Sequence, residues 1–306
     1  MKSSHTTSHN LFSGLFAGLL GLLSISAAHA QIFVTNAYDN GPGDGTIGEY
    51  NSDGSTVNAS LVSGLSNPWG IAVSGSDLFV SNAANGTIGE YTTSGATVNA
   101  SLITGVYNAA GVTVDGSNLF VVTNATIGEY TTSGGTVNAT LIHETNIPTE
   151  VAVSGLDLFV ANLGNGTIGE YTTTGATVNS SLVSGLNEPI GIAVSGSDIF
   201  VTNEGNGTIG EYTTSGATVN AALVSGLNGP FNIAVSGSDL FVTEVGDNTI
   251  GEYTTSGGIV DASLVTGLND PLGIAVEAPE PSTWALLLAC LAPLAFWSLR
   301  ARRRRV

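Results

Sequence analysis

The chain has 306 residues, 24 acidic and 6 basic, and a formal net charge of −18. Every basic residue lies in an end segment, so residues 31–276 contain no Lys or Arg; this excludes Lys and Arg ion pairs there and opposes binding to nucleic acid or anionic lipid. The same stretch has no cysteine, since Cys290 lies in the tail, which excludes disulfides and thiolate metal sites.

The N-terminus reads as an export signal. Lys2 and a polar stretch precede an apolar run from Leu11 to Ile25, and Ala28-His29-Ala30 supplies a small-x-small cleavage site. Residues 1–30 are therefore expected to be a signal peptide cleaved after Ala30.

Residues 31–276 repeat. A Leu/Ile-Phe-Val motif begins at Ile32, Leu78, Leu119, Leu158, Ile199 and Leu240, at spacings of 46, 41, 39, 41 and 41 residues. Each unit holds four short runs rich in β-branched and aromatic residues. In the second unit these are residues 78–81, 87–91, 97–103 and 111–114. Asn-Gly, Ser-Gly and Asn-Pro clusters separate them and favour tight turns. About forty residues and four strands per unit is the blade of a β-propeller. The expected fold is all-β, a six-bladed propeller.

The phase of the repeat predicts how the ring closes. The first unit begins on its second strand, Ile32 to Asn36, and the chain supplies an extra first strand, Leu272 to Val276. That C-terminal strand is expected to complete the first blade and remove an exposed seam. A β-solenoid is the alternative, although solenoids use shorter coils and need no such offset.

The pattern Pro-x-Gly-Ile-Ala-Val-Ser-Gly-Ser-Asp-Leu-Phe-Val resembles NHL and YVTN-type propeller repeats. The segment FVTEVGDNTIGEYTTSG from Phe241 looks like blades of virginiamycin B lyase-like proteins. The second resemblance implies a magnesium-assisted elimination using a histidine and a glutamate. That family has seven blades against six units here, and no histidine falls on a matching blade. The activity is not carried over.

A Glu-Tyr pair recurs in every unit, at Glu49, Glu90, Glu129, Glu170, Glu211 and Glu252 with the tyrosine that follows each. Alternation puts Ile and Glu on one face of the third strand, Gly and Tyr on the other. Catalysis needs one asymmetric constellation, so a sixfold pair reads as blade construction. The glycine is expected to leave room for a neighbouring blade.

Function is expected where the copies diverge. The turns joining strand one to two and three to four are nearly constant, Ser-Gly-Ser-Asp and Thr-Thr-Ser-Gly. The opposite rim varies. Its candidate binding residues are Asp39, Asp44, Trp69, Tyr107, His143, Glu144, Glu150, Glu188, Glu204, Glu244, Asp247 and Asp270. In the third unit His143, Glu144 and Glu150 offer a histidine with two carboxylates, suited to metal binding or proton transfer. Asp39 and Asp44 in a glycine-rich loop offer oxygen ligands for calcium. Asn-x-Ser/Thr triplets such as Asn58-Ala-Ser60 recur because the repeat recurs.

The tail closes the reading. Pro279-Glu280-Pro281 is followed by an apolar run from Trp284 to Leu299, then Arg300, Arg302, Arg303, Arg304 and Arg305. The run reaches about 24 Å as a helix, slightly short of a hydrocarbon core, and the arginines hold its end in the cytoplasm. Motif, helix and arginine cluster resemble the PEP-CTERM sorting signal of Gram-negative bacteria. That resemblance implies exosortase as partner, removal of residues 277–306 and delivery to the surface or matrix. A plain membrane anchor is the alternative. Two functions stay open for residues 31–276. One is a binding or scaffold module for exopolysaccharide, ions or another surface protein. The other is a propeller lyase or lactonase using calcium or magnesium, with acidic and asparagine ligands round the central channel.

Overall fold

A computed structural model of the protein describes residues 29–37, 43–143 and 146–277. The signal-peptide segment 1–28, the PEP motif, the apolar run and the arginine cluster lie outside these residues. Among the described residues no helix is long and apolar enough to cross a membrane.

The expected blades form. The described residues make six four-stranded antiparallel sheets; in five the strand nearest the axis starts at the proline of the Pro-x-Gly motif or its equivalent, and in blade 3 it starts just after Gly111. These innermost strands are Pro271–Glu277, Pro68–Ser74, Val112–Asp115, Pro148–Ser154, Pro189–Ser195 and Pro230–Ser236, for blades 1 to 6. Closure follows the predicted phase. Pro271–Glu277 pairs with Gln31–Asn36, setting Ala275 opposite Phe33 and Glu277 opposite Gln31.

Hydrophobic cores lie between blades. In the seam of blades 3 and 4, Phe120 and Ile127 meet Leu158, Val160 and Tyr171. Ile168, on the other face of the Tyr171 strand, packs toward blade 5 with Ile192 and Ile199. The alternation read from the sequence therefore holds. The phenylalanine of each second strand is essentially inaccessible, from Phe33 at 0% to Phe79 at 2%. Full burial of each such ring contributes about 2–3 kcal/mol.

The reason for the repeated glycine differs from expectation. A Cβ on Gly89 would lie 2.7 Å from Cε2 of Tyr91, and the same conflict recurs at Gly169 and Tyr171, at 2.8 Å. The glycine makes room for the tyrosine ring of its own strand, which folds back over it. The neighbouring blade then packs on that ring.

Hydroxyls staple neighbouring innermost strands. Ser81 Oγ accepts the Gly70 N–H at 2.7 Å and donates to Ala110 O of the next blade at 2.6 Å. Thr35, Thr202 and Thr243 do the same. Blade 4 has Ala161 at this place, and Thr149 on the innermost strand donates to Ile190 O instead, at 2.8 Å. Blade 3 has Val122 there and joins blade 4 through its backbone, the Gly111 N–H donating to Thr149 O at 2.9 Å, and the register these bonds set positions the site.

Candidate functional site

The third residue of the innermost strand is Gly70, Gly191 and Gly273 in three blades, and Gly111, just before the shorter strand of blade 3, is its equivalent; the place is taken by Glu150 in blade 4 and Asn232 in blade 6. Glycine fits because the next innermost strand passes close by: a Cβ on Gly70 would lie 2.7 Å from Ala110 O. The two exceptions meet on the axis. Asn232 Nδ2 donates to Glu150 Oε2 at 2.8 Å, across the ring from blade 6 to blade 4. Glu150 lies over Gly111 of blade 3, whose missing side chain makes the space. Glu150 Oε1 also accepts the Val151 N–H at 3.1 Å, and Asn232 Oδ1 accepts the Ile233 N–H at 2.7 Å.

One residue toward the variable rim lies an apolar layer. Ile190, Phe231 and Leu272 cluster there with Trp69, whose ring centroid lies 5.2 Å from that of Phe231. On the other side, the innermost strands of all six blades line a cavity of about 270 Å³, with Glu150 and Asn232 among the lining residues. Exposure along these strands rises toward the serine end: Gly70, Ile71 and Ala72 are buried, Val73 and Ser74 half-buried. The cavity therefore opens at the rim of constant Ser-Gly-Ser-Asp turns, with the Glu150–Asn232 pair as its floor.

Among the described residues Glu150 is the one ionisable side chain of the lining. Burial pushes its carboxyl up to about 7, against the opposing pull of the Val151 and Asn232 donors. A carboxyl poised there changes charge near neutral pH. A divalent cation would need several oxygens, whereas Asn232 turns its nitrogen toward Glu150 and commits its oxygen to Ile233. The pair does not fit calcium or magnesium as joint ligands. Among the described residues no group of three or more His, Cys, Asp or Glu could hold a metal ion.

The rim candidates scatter. Glu150, read with His143 and Glu144, leaves that group for the channel; His143 is exposed at the end of Thr136–His143, and Glu144 lies outside the described residues. Asp39 also lies outside them, while Asp44 is exposed. Trp69 is half-buried in the apolar layer, and Tyr107, 69% exposed, covers Gly86. Glu188 and Glu204 come together; burial first and Glu188 second raise the pKa of Glu204. Asp247 accepts from Asn228 Nδ2 at 2.7 Å, and Asp270 bonds through its backbone to Asn248 and Ala37. Glu244 is buried rather than presented: it accepts the Tyr253 hydroxyl at 2.7 Å and the Asn228 N–H at 3.2 Å.

Asn232 was missed by the sequence reading. The signal was present, because aligning units on Pro-x-Gly-Ile-Ala-Val leaves Glu150 and Asn232 as departures from its glycine.

Fold and channel define a six-bladed propeller with an asymmetric polar pair on its axis. The family description of virginiamycin B lyases matches residues 42–290, and the chain belongs to that family. No curated protein matches. Among solved structures, one of a nidogen/laminin complex is similar with a TM-score of 0.70 at 14% identity, covering 82% of this chain and 99% of that one. Virginiamycin B lyase from Staphylococcus aureus is similar at 0.58 and 20% identity, over 82% and 92% of the two chains. A gluconolactonase from Xanthomonas campestris is similar at 0.56 and 14%, over 66% and 77%. At these identities the likeness shows the fold alone.

Proposed function

We propose that the protein is an exported binding module of a Gram-negative surface or matrix, and that its central channel takes a small polar ligand. The observation that carries the binding reading is the Glu150–Asn232 contact, where two blades depart from the glycine of their repeat and meet at the floor of a cavity. Export rests on the sequence of the two ends, with exosortase as the partner that removes the tail. A compound screen read by thermal shift tests the binding reading. Ligands should raise the melting temperature of the native protein and lose that effect when Glu150→Gly and Asn232→Gly restore the repeat. Ligands that stabilise both proteins equally would place binding elsewhere. Mass spectrometry of the native protein should find a chain starting near Gln31 and ending near the PEP motif; an intact tail through Val306 would leave a plain anchor.

A second reading is favoured by the Glu150 carboxyl near neutrality, which suits a general acid or base in a propeller lyase or lactonase. Its test is turnover of a streptogramin B or of gluconolactone, the compounds named by the enzymes of like fold. Turnover abolished by Glu150→Gln would establish catalysis in the channel.

A further inference from the structure

We infer that the channel takes a small organic monocation, an alkylammonium that donates its N–H groups to the Glu150 carboxylate. This rests on the channel reading above and names the ligand class.

Three observations converge on it. First, among the described residues the cavity lining holds Glu150 and no cationic side chain, and the donors to Glu150 are the Val151 N–H and the Asn232 amide. No described residue of the lining carries a countercharge, and buried charges demand a partner. Second, the rim on which the cavity opens carries one acidic residue per blade, at the end of the innermost strand or the start of the second. These are Glu277, Asp77, Asp115, Asp157, Asp198 and Asp239 for blades 1 to 6. Five of them lie near third-strand glutamates and none lines the cavity, but a rim of one sign still concentrates ions of the other sign near the cleft. Third, shape and donor pattern select among cations. A cavity of about 270 Å³ exceeds a bare ion, against about 30 Å³ for a water molecule, and Val73, Val114, Val153 and Val194 contribute to its wall. A metal would want oxygens from both floor residues. Asn232 offers its nitrogen, so a ligand that brings its own donors to Glu150 fits better.

The binding-competent form is the ionised one. Of the groups facing Glu150, Gly111 and Asn232 do not titrate, so the part of the pH dependence that is lost in Glu150→Gln reports this one carboxyl, and what remains belongs to the rim carboxylates. Burial sets its transition near neutrality.

Isothermal titration of the purified protein with n-butylammonium chloride tests the inference, with n-butanol, tetramethylammonium chloride and calcium chloride as comparisons. Butylammonium should bind at about pH 8 and lose about tenfold or more in affinity toward about pH 5, as Glu150 takes up its proton. Glu150→Gln, close in shape, should cost a similar factor at the higher pH and remove most of the pH dependence. Glu150→Gly, the residue of four other blades, is the second variant should glutamine disturb the floor. n-Butanol should not compete, and tetramethylammonium, lacking N–H donors, should bind more weakly. Equal binding of butylammonium to native protein and both variants overturns the inference, as does calcium binding that alone depends on Glu150. If neutral compounds bind in a Glu150-dependent way and butylammonium does not, the channel reading stands and the cation assignment falls. If no probe responds to Glu150, both fall.

Discussion

Tyr253 donates its hydroxyl hydrogen to Glu244 across 2.7 Å, both side chains being buried in blade 6. Other blades place an asparagine there, Asn36, Asn82, Asn162 and Asn203, so Glu244 is a local variation on a construction site. Burial first, then the hydrogen bond and charge of Glu244, push the Tyr253 phenol well above the usual tyrosine range. Glu244→Ala should cost about 1–3 kcal/mol by stranding the Tyr253 hydroxyl and the Asn228 N–H. Glu244→Asn, which restores the repeat, should stay within about 1 kcal/mol of native and ionise Tyr253 at lower pH. Denaturant melts and an absorbance titration of tyrosine check both. An unchanged titration in Glu244→Asn would show that the carboxylate does not set the phenol.

Glu150 makes stability depend on pH in a defined direction. Its folded pKa, about 7, lies above the unfolded 4.5, so the folded state holds the proton longer. Stability is therefore full below about pH 4.5 and falls as pH rises through about 7, by about 3 kcal/mol from this group. Burial raises Glu90, Glu170, Glu211 and Glu252 as well, with a neighbouring aspartate as the second cause, and these act in the same sense. Glu150→Gln should match native protein near pH 5 and exceed its stability near pH 8, leaving the slope of the remaining glutamates. Parallel melting curves at both pH values would mean that the channel carboxyl keeps an ordinary pKa.

The sequence carried the fold further than the site, for a physical reason. Strand period and turn residues recur in six copies, so each blade confirms the others, and the offset of Ile32 against Leu272 gives the closure. A binding pair on the axis depends on which residue of each innermost strand reaches the centre. Glu150 follows His143 and Glu144 in the chain and reads as part of a rim loop. The strand that begins at Pro148 instead carries it into the channel. Asn232 lies 82 residues away, and only closure of the ring brings the two together. Likewise the Gly-Tyr spacing was visible, but the ring folding back over its own glycine was not.

That folding back predicts a sharp penalty for one methyl group. Gly169→Ala puts a Cβ 2.8 Å from Cε2 of Tyr171, in a strand where the ring has little room to move. Overpacking of this kind should destabilise by about 1–3 kcal/mol. Tyr171→Ala empties part of the seam and should cost about 3–5 kcal/mol, as large aromatic truncations do. Val178→Ala, on the outermost strand and 54% exposed, should stay within about 0.5 kcal/mol. Chemical denaturation ranks the three, and a silent Gly169→Ala would show that the tyrosine ring can leave its glycine.

Ile147 has φ of 55°, in the left-handed region where a β-branched residue is strained. In other blades the residue before the first strand takes the same conformation, as Asn67, Glu188, Gly229 and Asp270, and Asn108 takes it at the equivalent place ahead of the shorter strand of blade 3. Most of those residue types tolerate it better, and Ile147 is 52% exposed, so its side chain gives up little burial. Ile147→Asn should raise stability by about 1 kcal/mol. A melt that falls instead would mean the isoleucine contributes packing that outweighs its backbone strain.

The staple of blade 4 offers a test by rescue. Thr149 Oγ1 donates to Ile190 O at 2.8 Å, and at the site that carries Thr35, Ser81, Thr202 and Thr243 in other blades stands Ala161. Both residues are buried, so a lost hydroxyl leaves the Ile190 carbonyl short of a donor where water has little access. Thr149→Val keeps the shape and should cost about 1 kcal/mol. Adding Ala161→Thr to that variant puts a hydroxyl where three other blades have a threonine, within reach of the next blade by the geometry of Thr202 and Phe231. The double variant should recover most of the loss. Ala161→Thr alone should gain little, because Thr149 already fills the need and the added methyl must be packed. A coupling energy near zero in this cycle would mean that the two hydroxyl positions are not alternatives, and that the seam between blades 4 and 5 is held by its apolar contacts alone.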